Sequence, residues 1–162
     1  MIPALNQPRL SNIICFKVLK NPLAVGAGMI TGMSFGANTL SAFVTRASRE
    51  LCDLCIAMGG DQKTIDGLSG IGDLMLTCFS PQSRNQRCGQ RLVNGDSIED
   101  IRKDYTVEGA PTADVAVAYA DMCGLECPLF RSVDDLIHGK STPEEAVSCL
   151  MGRPLRQETS RA

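Results

Sequence analysis

The chain has 162 residues, a length that fits one domain with enough sequence to bury a hydrophobic core. Hydrophobic residues make up 44% and charged residues 21%, as in ordinary globular proteins, so disorder along the whole chain is not expected. The net charge of −2, the absence of tryptophan and the 4% aromatic content argue against nucleic acid as a partner. No apolar run is long enough to span a membrane, and the first ten residues lack a secretory signal, which predicts a cytoplasmic protein.

The chain contains eight cysteines, which in the cytoplasm are expected to be reduced thiols. Cys52 and Cys55 form a C-x-x-C pair, but no second pair follows at metal spacing and His138 is the only histidine. This ligand set is incomplete for zinc. We therefore expect small buried thiols and no metal site.

The first predicted elements are a short apolar run and a helix. Residues 13–18 are rich in β-branched and aromatic side chains, which indicates a short strand or an isolated apolar segment. Asn21 and Pro22 predict a helix start, with Asn as N-cap and Pro at the first helical position. Lys20 would then precede the helix, because Pro22 is expected to break any helix that reaches it from upstream.

Three glycines follow, at Gly26, Gly28 and Gly32, and invite comparison with a dinucleotide-binding loop. Such a loop needs a strand before it and a second strand after its helix. The downstream segment 38–58 instead has apolar residues at helical spacing and ends at Gly59-Gly60, a natural helix stop. The three glycines are therefore interpreted as sites of close helix packing or ligand approach.

The stretch Gly67-Leu68-Ser69-Gly70-Ile71-Gly72-Asp73-Leu74-Met75-Leu76-Thr77-Cys78 is the candidate centre of the chemistry. In a helix from Ile71 onward, Ile71, Leu74, Met75 and Cys78 share one face. Asp73 and Thr77, four residues apart, share the opposite face. The alternative is that Asp73 only caps a helix.

Ser83, Arg84 and Asn85 follow this stretch. The guanidinium of Arg84 suits a phosphate or a carboxylate, and Asn85 can both donate and accept hydrogen bonds. Arg84, Arg87 and Arg91 fall on one helical face, which is either a phosphate-facing edge or a solvated surface, and only Arg84 is retained as a candidate.

Four further helices are predicted in the second half, so the fold class is all-α. Asp96-Ser97-Ile98-Glu99 resembles a capping box and starts the first of them. The second contains Val115, Ala118, Tyr119 and Met122, and the third contains Leu129, Val133, Leu136 and Ile137. Thr142, Pro143 and Glu145 announce the last helix, before Ala146, Val147 and Leu150.

Several motifs, in the same order, resemble the C-terminal domain of NAD(P)-dependent glycerol-3-phosphate dehydrogenase. They are Leu19-Lys20-Asn21, Gly36-Ala37-Asn38-Thr39 with Arg46, Gly70-Ile71-Gly72-Asp73-Leu74-Met75-Leu76-Thr77-Cys78 with Ser83-Arg84-Asn85, Val107-Glu108-Gly109 and Gly152-Arg153-Pro154-Leu155. The resemblance covers most of the chain, from about residue 19 to residue 155. It implies a multi-helix domain of the type that glycerol-3-phosphate and 6-phosphogluconate dehydrogenases share, here without a Rossmann domain.

The resemblance also implies roles for individual residues. Lys20 matches the lysine that protonates the carbonyl oxygen of dihydroxyacetone phosphate while NADH or NADPH delivers a hydride to form sn-glycerol 3-phosphate. Asp73 is implied to orient that lysine, and Lys20 and Asp73 are both also implied to contact the substrate. The other substrate-binding residues implied are Thr77, Ser83, Arg84 and Asn85, and the cofactor-binding residues implied are Arg84, Val107 and Glu108.

The resemblance leads to three expected segments: a divergent segment 1–18, a helical substrate-binding domain 19–155 and a flexible tail 156–162. The cofactor, NAD or NADP, would be held mostly by a Rossmann domain that these 162 residues do not contain. Because hydride transfer needs both walls of the site, the chain alone is not expected to be an efficient enzyme. The expected partners are a small phosphorylated substrate and either a second copy of the chain or the missing nucleotide domain.

Two other readings of the chain stay open: a noncatalytic helical module for dimerisation or partner binding, and the helical domain of another two-domain dehydrogenase. The phosphate-directed Ser83-Arg84-Asn85 disfavours the second of these. The final Ser160-Arg161-Ala162 has a faint likeness to a peroxisomal address, which is a weak alternative to the cytoplasm.

Overall fold

The computed structural model describes residues 8–152 of the protein, with side chains from residue 15 onward. Over these residues the chain forms helices and no β-strand, which confirms the all-α prediction. The α-helices are α1 (Pro8–Gly32), α2 (Ala37–Ala57), α3 (Gln62–Ile65), α4 (Asp73–Phe79), α5 (Arg84–Val93), α6 (Ile98–Asp104), α7 (Gly109–Cys123), α8 (Pro128–Ile137) and α9 (Pro143–Met151). A π-helical turn, Leu68–Gly72, leads directly into α4. In the described part of the chain, no helix combines the length and apolar character that a membrane span requires.

Helix α1 lies at the centre of the fold. Every residue from Asn21 to Ile30 is buried, so this stretch is surrounded by protein on all sides. Helices α2, α4, α5, α7 and α8 all pack against it, and α5 does so most extensively. A helix buried on all faces has no polar face, which explains why periodicity alone did not reveal its full length.

Two predictions for this region are wrong. Residues 13–18 belong to α1 and form no strand, and the helix continues through Pro22. A proline inside a helix loses one backbone hydrogen bond at a cost of about 3 kcal/mol, but tertiary packing supplies most helical stability. Lys20 is consequently in the middle of a helix, and the segment boundary expected after residue 18 falls inside α1. The expected tail, 156–162, lies outside the described residues, as do residues 153–155 of the last motif.

Glycines allow α1 and α5 to touch backbone to backbone. A Cβ at Gly28 would lie 1.9 Å from the carbonyl oxygen of Gln86, and a Cβ at Gly89 would lie 1.9 Å from that of Val25. Both distances are far below van der Waals contact. The interpretation of Gly28 as a site of close helix packing is therefore confirmed.

Helix α2 agrees with the prediction and also anchors the last two helices. The predicted apolar positions within α2 are buried, whereas Met58, just after its end, is partly buried. The helix ends before Gly59, whose φ is 87°. Arg46 Nη1 donates to the carbonyl oxygens of Leu150 and Met151 at 3.2 Å, at the end of α9. The carboxylate of Glu50 accepts the backbone N–H of Leu129 at 3.0 Å, at the start of α8. Both side chains satisfy backbone groups that helix termini leave unpaired.

Helix α7 is present as predicted, but its buried face is a different one. Val115 is 59% exposed and Met122 is 80% exposed. The core side instead consists of small residues, Ala110, Ala113, Ala116 and Ala120. Alanines let α7 approach α1 closely, so close packing prevailed over the burial of larger side chains.

The helix-start signals in the second half were mostly correct. Thr142 and Glu145 form the predicted capping box of α9, with each side chain bonded to the backbone of the other. Ser97 caps α6 by accepting the N–H of Asp100 at 3.1 Å. The N-cap is therefore Ser97 and not Asp96, and the third helical position holds Asp100 and not Glu99, so the predicted start lay one residue too early.

Most cysteines are buried, as predicted for Cys52 and Cys55. Burial raises the pKa of the Cys55 and Cys78 thiols to about 12. By contrast, Cys123 and Cys149 are exposed. Because the thiolate is the reactive form, the buried thiols are protected both by low access and by their scarcity of thiolate at neutral pH.

Gly28→Ala is expected to lower the free energy of unfolding by about 2 kcal/mol or more, because its Cβ would force α1 and α5 apart. Urea denaturation measures this loss. Gly36→Ser is the control, since a Cβ at Gly36 meets nothing within 4 Å and serine is a good N-cap for α2. Equal stability of the two variants would contradict the close α1–α5 contact.

Alkylation with iodoacetamide at pH 8 is expected to modify Cys123 and Cys149 first. Cys55 and Cys78 should react only after denaturation, since burial raises the pKa of both thiols. Peptide mass spectrometry over a time course measures the order. Labelling of Cys78 as fast as Cys123 would show that this part of the core is open.

Candidate functional site

Lys20 projects from α1 into a polar site formed with α4. Its side chain is 14% exposed, and Nζ lies 2.5 Å from Asp73 Oδ1. The same Nζ donates a hydrogen bond to Thr77 Oγ1 at 2.9 Å. The structure thus brings three of the predicted site residues together around one ammonium group.

Asp73 and Thr77 share a face of α4, as predicted from their spacing. Thr77 Oγ1 donates its proton to the carbonyl oxygen of Asp73 at 2.7 Å, which leaves its lone pairs free to accept from Lys20. Asp73 is the first residue of α4, and no side-chain cap is formed at this helix start. The alternative that Asp73 serves only as a cap is therefore wrong.

The π-helical turn sets the position of Asp73. The residue pattern of this stretch did not predict the turn. A Cβ at Gly70 would lie 1.8 Å from the carbonyl oxygen of Ile65, so this glycine permits the tight path. Single π-turns occur frequently at functional sites. The predicted apolar face is also only partly buried, because Leu74 and Cys78 lie in the core whereas Met75 is 48% exposed.

Ser83 and Asn85 lie at the start of α5. Ser83 is the N-cap and accepts the N–H of Gln86 at 3.3 Å. Asn85 is 8% exposed, and its Oδ1 accepts the N–H of Gly109, the first residue of α7, at 3.0 Å. Asn85 therefore joins the starts of two helices.

Asn21, the residue after Lys20, pairs with Glu108, which also lies near the arginine of the site. The side chain of Asn21, 7% exposed, donates from Nδ2 to Glu108 Oε2 at 3.1 Å. The other carboxylate oxygen of Glu108 lies 4.0 Å from Arg84 Nη2. The sequence predicted Asn21 as a helix N-cap and as part of the Leu19-Lys20-Asn21 motif, but it did not predict the hydrogen bond to Glu108, because that bond joins residues far apart in the chain.

The remaining candidates differ in accessibility. Val107 is 3% exposed as a whole residue, so almost none of it is open to a ligand in this structure. Arg87 lies over the ring of Tyr105, and Arg91 pairs with two aspartates. The side chain of Arg84 is 53% exposed and its pairing with Glu108 spans 4.0 Å, so its guanidinium is available for an anion.

The geometry suits proton transfer to an oxygen of a bound substrate. A lysine ammonium has three donors. In the described structure, Asp73 and Thr77 take two of them. The third remains for a substrate oxygen.

A family model described as the C-terminus of NAD-dependent glycerol-3-phosphate dehydrogenase matches residues 13–148. The chain belongs to this family. The match confirms the resemblance found in the motifs of the sequence, together with the fold class.

Individual proteins of this dehydrogenase family are also similar to the chain. A curated glycerol-3-phosphate dehydrogenase (NAD(P)+) from Aromatoleum aromaticum is 39% identical, over 97% of this chain and 51% of the relative. The protein of the same name from Maricaulis maris is 37% identical, over 88% of this chain and 43% of the relative. A crystal structure of glycerol-3-phosphate dehydrogenase from Coxiella burnetii superposes with a TM-score of 0.83 and 34% identity, covering 88% of this chain and 44% of that one. The chain spans about half the length of the curated relatives it matches.

Proposed function

We propose that the chain is the substrate-binding and proton-transferring half of an NAD(P)-dependent sn-glycerol-3-phosphate dehydrogenase. The observation that carries this proposal is the position of Lys20 Nζ, held by Asp73 Oδ1 at 2.5 Å and Thr77 Oγ1 at 2.9 Å. The reaction is dihydroxyacetone phosphate + NAD(P)H + H⁺ to sn-glycerol 3-phosphate + NAD(P)⁺.

Lys20 acts as the general acid in the reducing direction. Its ammonium donates a proton to the carbonyl oxygen of dihydroxyacetone phosphate as that oxygen gains negative charge, and the neutral amine then recovers a proton from solvent. In reverse, the amine removes the proton from the alcohol. Asp73 and Thr77 are positioning residues, because their contacts fix the direction in which the remaining N–H points.

Arg84 binds the substrate phosphate through charge and bidentate hydrogen bonds. Ser83 and Asn85 stand beside it at the start of α5, where unpaired backbone N–H groups favour an anion. The carboxylate of Glu108 must move away from Arg84 when the phosphate binds, because it lies 4.0 Å from the same guanidinium.

NAD or NADP supplies the hydride when bound. Two residues of this chain fit one edge of such a cofactor. The side chain of Glu108 is 58% exposed and can accept hydrogen bonds from the hydroxyl groups of the cofactor, and Arg84 offers a cation. Val107 is 3% exposed, so it would contact the cofactor only if the groups that cover it move. The rest of the cofactor site requires a nucleotide-binding domain.

Arg84→Ala is expected to weaken the binding of sn-glycerol 3-phosphate by about tenfold or more, because a charged hydrogen-bonding partner of the phosphate is lost. Amide NMR titration of the chain measures this, with shifts expected in residues 73–85. Arg87→Ala is the matched control on the same helix. If the unchanged chain shows no shifts, or if both variants bind alike, Arg84 is not the phosphate ligand, and a noncatalytic module becomes the better explanation.

Lys20→Ala is expected to lower turnover by about 100-fold or more when the chain is joined to the nucleotide domain of the Aromatoleum relative, because the proton donor is removed. Lys17→Ala, one turn earlier on the same helix and exposed, should retain turnover. Steady-state kinetics and circular dichroism of the three proteins measure activity and fold. Undiminished turnover in the folded Lys20 variant would refute the mechanism.

A further inference from the structure

Asp114, Asp134 and His138 form a second polar cluster that shares no residue with the Lys20 site. Asp114 belongs to α7 and Asp134 to α8, and His138 immediately follows α8. One potential ligand atom from each residue lies within 4.8 Å of the other two. Asp114 and His138 also line a cleft together with Ser141, whose buried hydroxyl oxygen has no hydrogen-bond partner.

The hydrogen bonds of His138 determine which of its ring nitrogens is free. Nδ1 lies 2.9 Å from the carbonyl oxygen of Asp134, which can only accept, so Nδ1 carries the proton and donates it. If the ring carries no second proton, Nε2 presents a lone pair. This atom lies 3.3 Å from Asp114 Oδ1, another acceptor. Two acceptors at this distance need a cation between them, either a proton or a metal ion.

Asp134 supplies a second, independent observation. It is 5% exposed, and its Oδ1 is buried without a hydrogen-bond partner. His138 Nδ1 lies 3.2 Å from this oxygen, but its proton is directed to the carbonyl of the same residue. Lys140 reaches only the other oxygen, Oδ2, at 3.5 Å. The side chain of Asp114 is a further hydrogen-bonding neighbour of Asp134. Two carboxyl groups in contact need a proton or a metal ion between them, because a buried carboxylate oxygen without a donor is costly.

We propose that Asp114, Asp134 and His138 bind a divalent metal ion. The ligands are His138 Nε2 and one oxygen from each carboxylate, with water completing the coordination shell. One imidazole and two carboxylates form a mixed nitrogen and oxygen set, which suits Mn²⁺ and related ions. The hydrogen bond from Nδ1–H to a backbone carbonyl is the arrangement that typically orients a metal-binding histidine. Two carboxylates against the single ammonium of Lys140 also leave the cluster with negative charge to neutralise.

Mn²⁺ is the probe for this site, because the exposed thiols of Cys123 and Cys149 favour softer ions. Titration of the 162-residue chain at pH 7.5, followed by the loss of the electron paramagnetic resonance signal of free Mn²⁺, should show one ion per chain. Asp114→Asn is expected to weaken the affinity by about tenfold or more. Asp121→Asn, an equally exposed aspartate on the same helix, should bind as the unchanged chain does.

A second variant and a local readout keep the test independent of folding. His138→Ala should also lose Mn²⁺ affinity, with an unchanged circular dichroism spectrum. In the unchanged chain, paramagnetic broadening of amide NMR signals should centre on residues 114 and 138. An unchanged free Mn²⁺ signal at pH 7.5 would overturn the proposal. Binding that survives in both ligand variants, or that falls equally in Asp121→Asn, would overturn it as well.

Discussion

The contact between the backbones of α1 and α5 is the constraint on which the site depends. Gly28 and Gly89 each face a carbonyl oxygen of the other helix, so neither position tolerates a side chain at the present distance. Lys20 lies about two turns before Gly28 on α1, and Arg84 lies just over one turn before Gly89 on α5. The spacing of these two cations therefore depends on how closely the helices approach. Asn85 transmits the same constraint to α7, because it holds the N–H of Gly109.

The Lys20 site resolves a conflict between burial and charge. A largely buried ammonium is costly unless a carboxylate pairs with it and other donors are satisfied. Asp73 supplies the charge and Thr77 supplies an acceptor, and the π-helical turn sets the start of the helix that carries both. Glu108 likewise provides a carboxylate at a more exposed position, where it accepts a hydrogen bond from Asn21 and lies near Arg84. Charges that a ligand would otherwise neutralise are thus balanced by carboxylates of the chain.

The cluster around His138 contrasts with this balance. At Lys20 each acceptor faces a donor, whereas Nε2 of His138 faces the carboxylate of Asp114 and one buried oxygen of Asp134 lacks a donor. The same rule, that buried polar groups need partners, thus describes acceptors that all have a donor at Lys20, with one N–H left for a ligand, and an incomplete network at His138. The incomplete network is the reason to assign a cation there.

The sequence by itself determined the elements whose signals are local: the amphipathic helix α2, the capping box at Thr142, and the shared face of Asp73 and Thr77. Its ordered motifs also determined the family. Only the tertiary structure decided that α1 runs through Pro22, because burial on all sides outweighs a local helix breaker. It also decided that alanines rather than Val115 and Met122 form the core side of α7. The same holds for the partners of Lys20 and His138, since these contacts join residues far apart in the chain, and no local pattern encodes which distant groups packing will bring together.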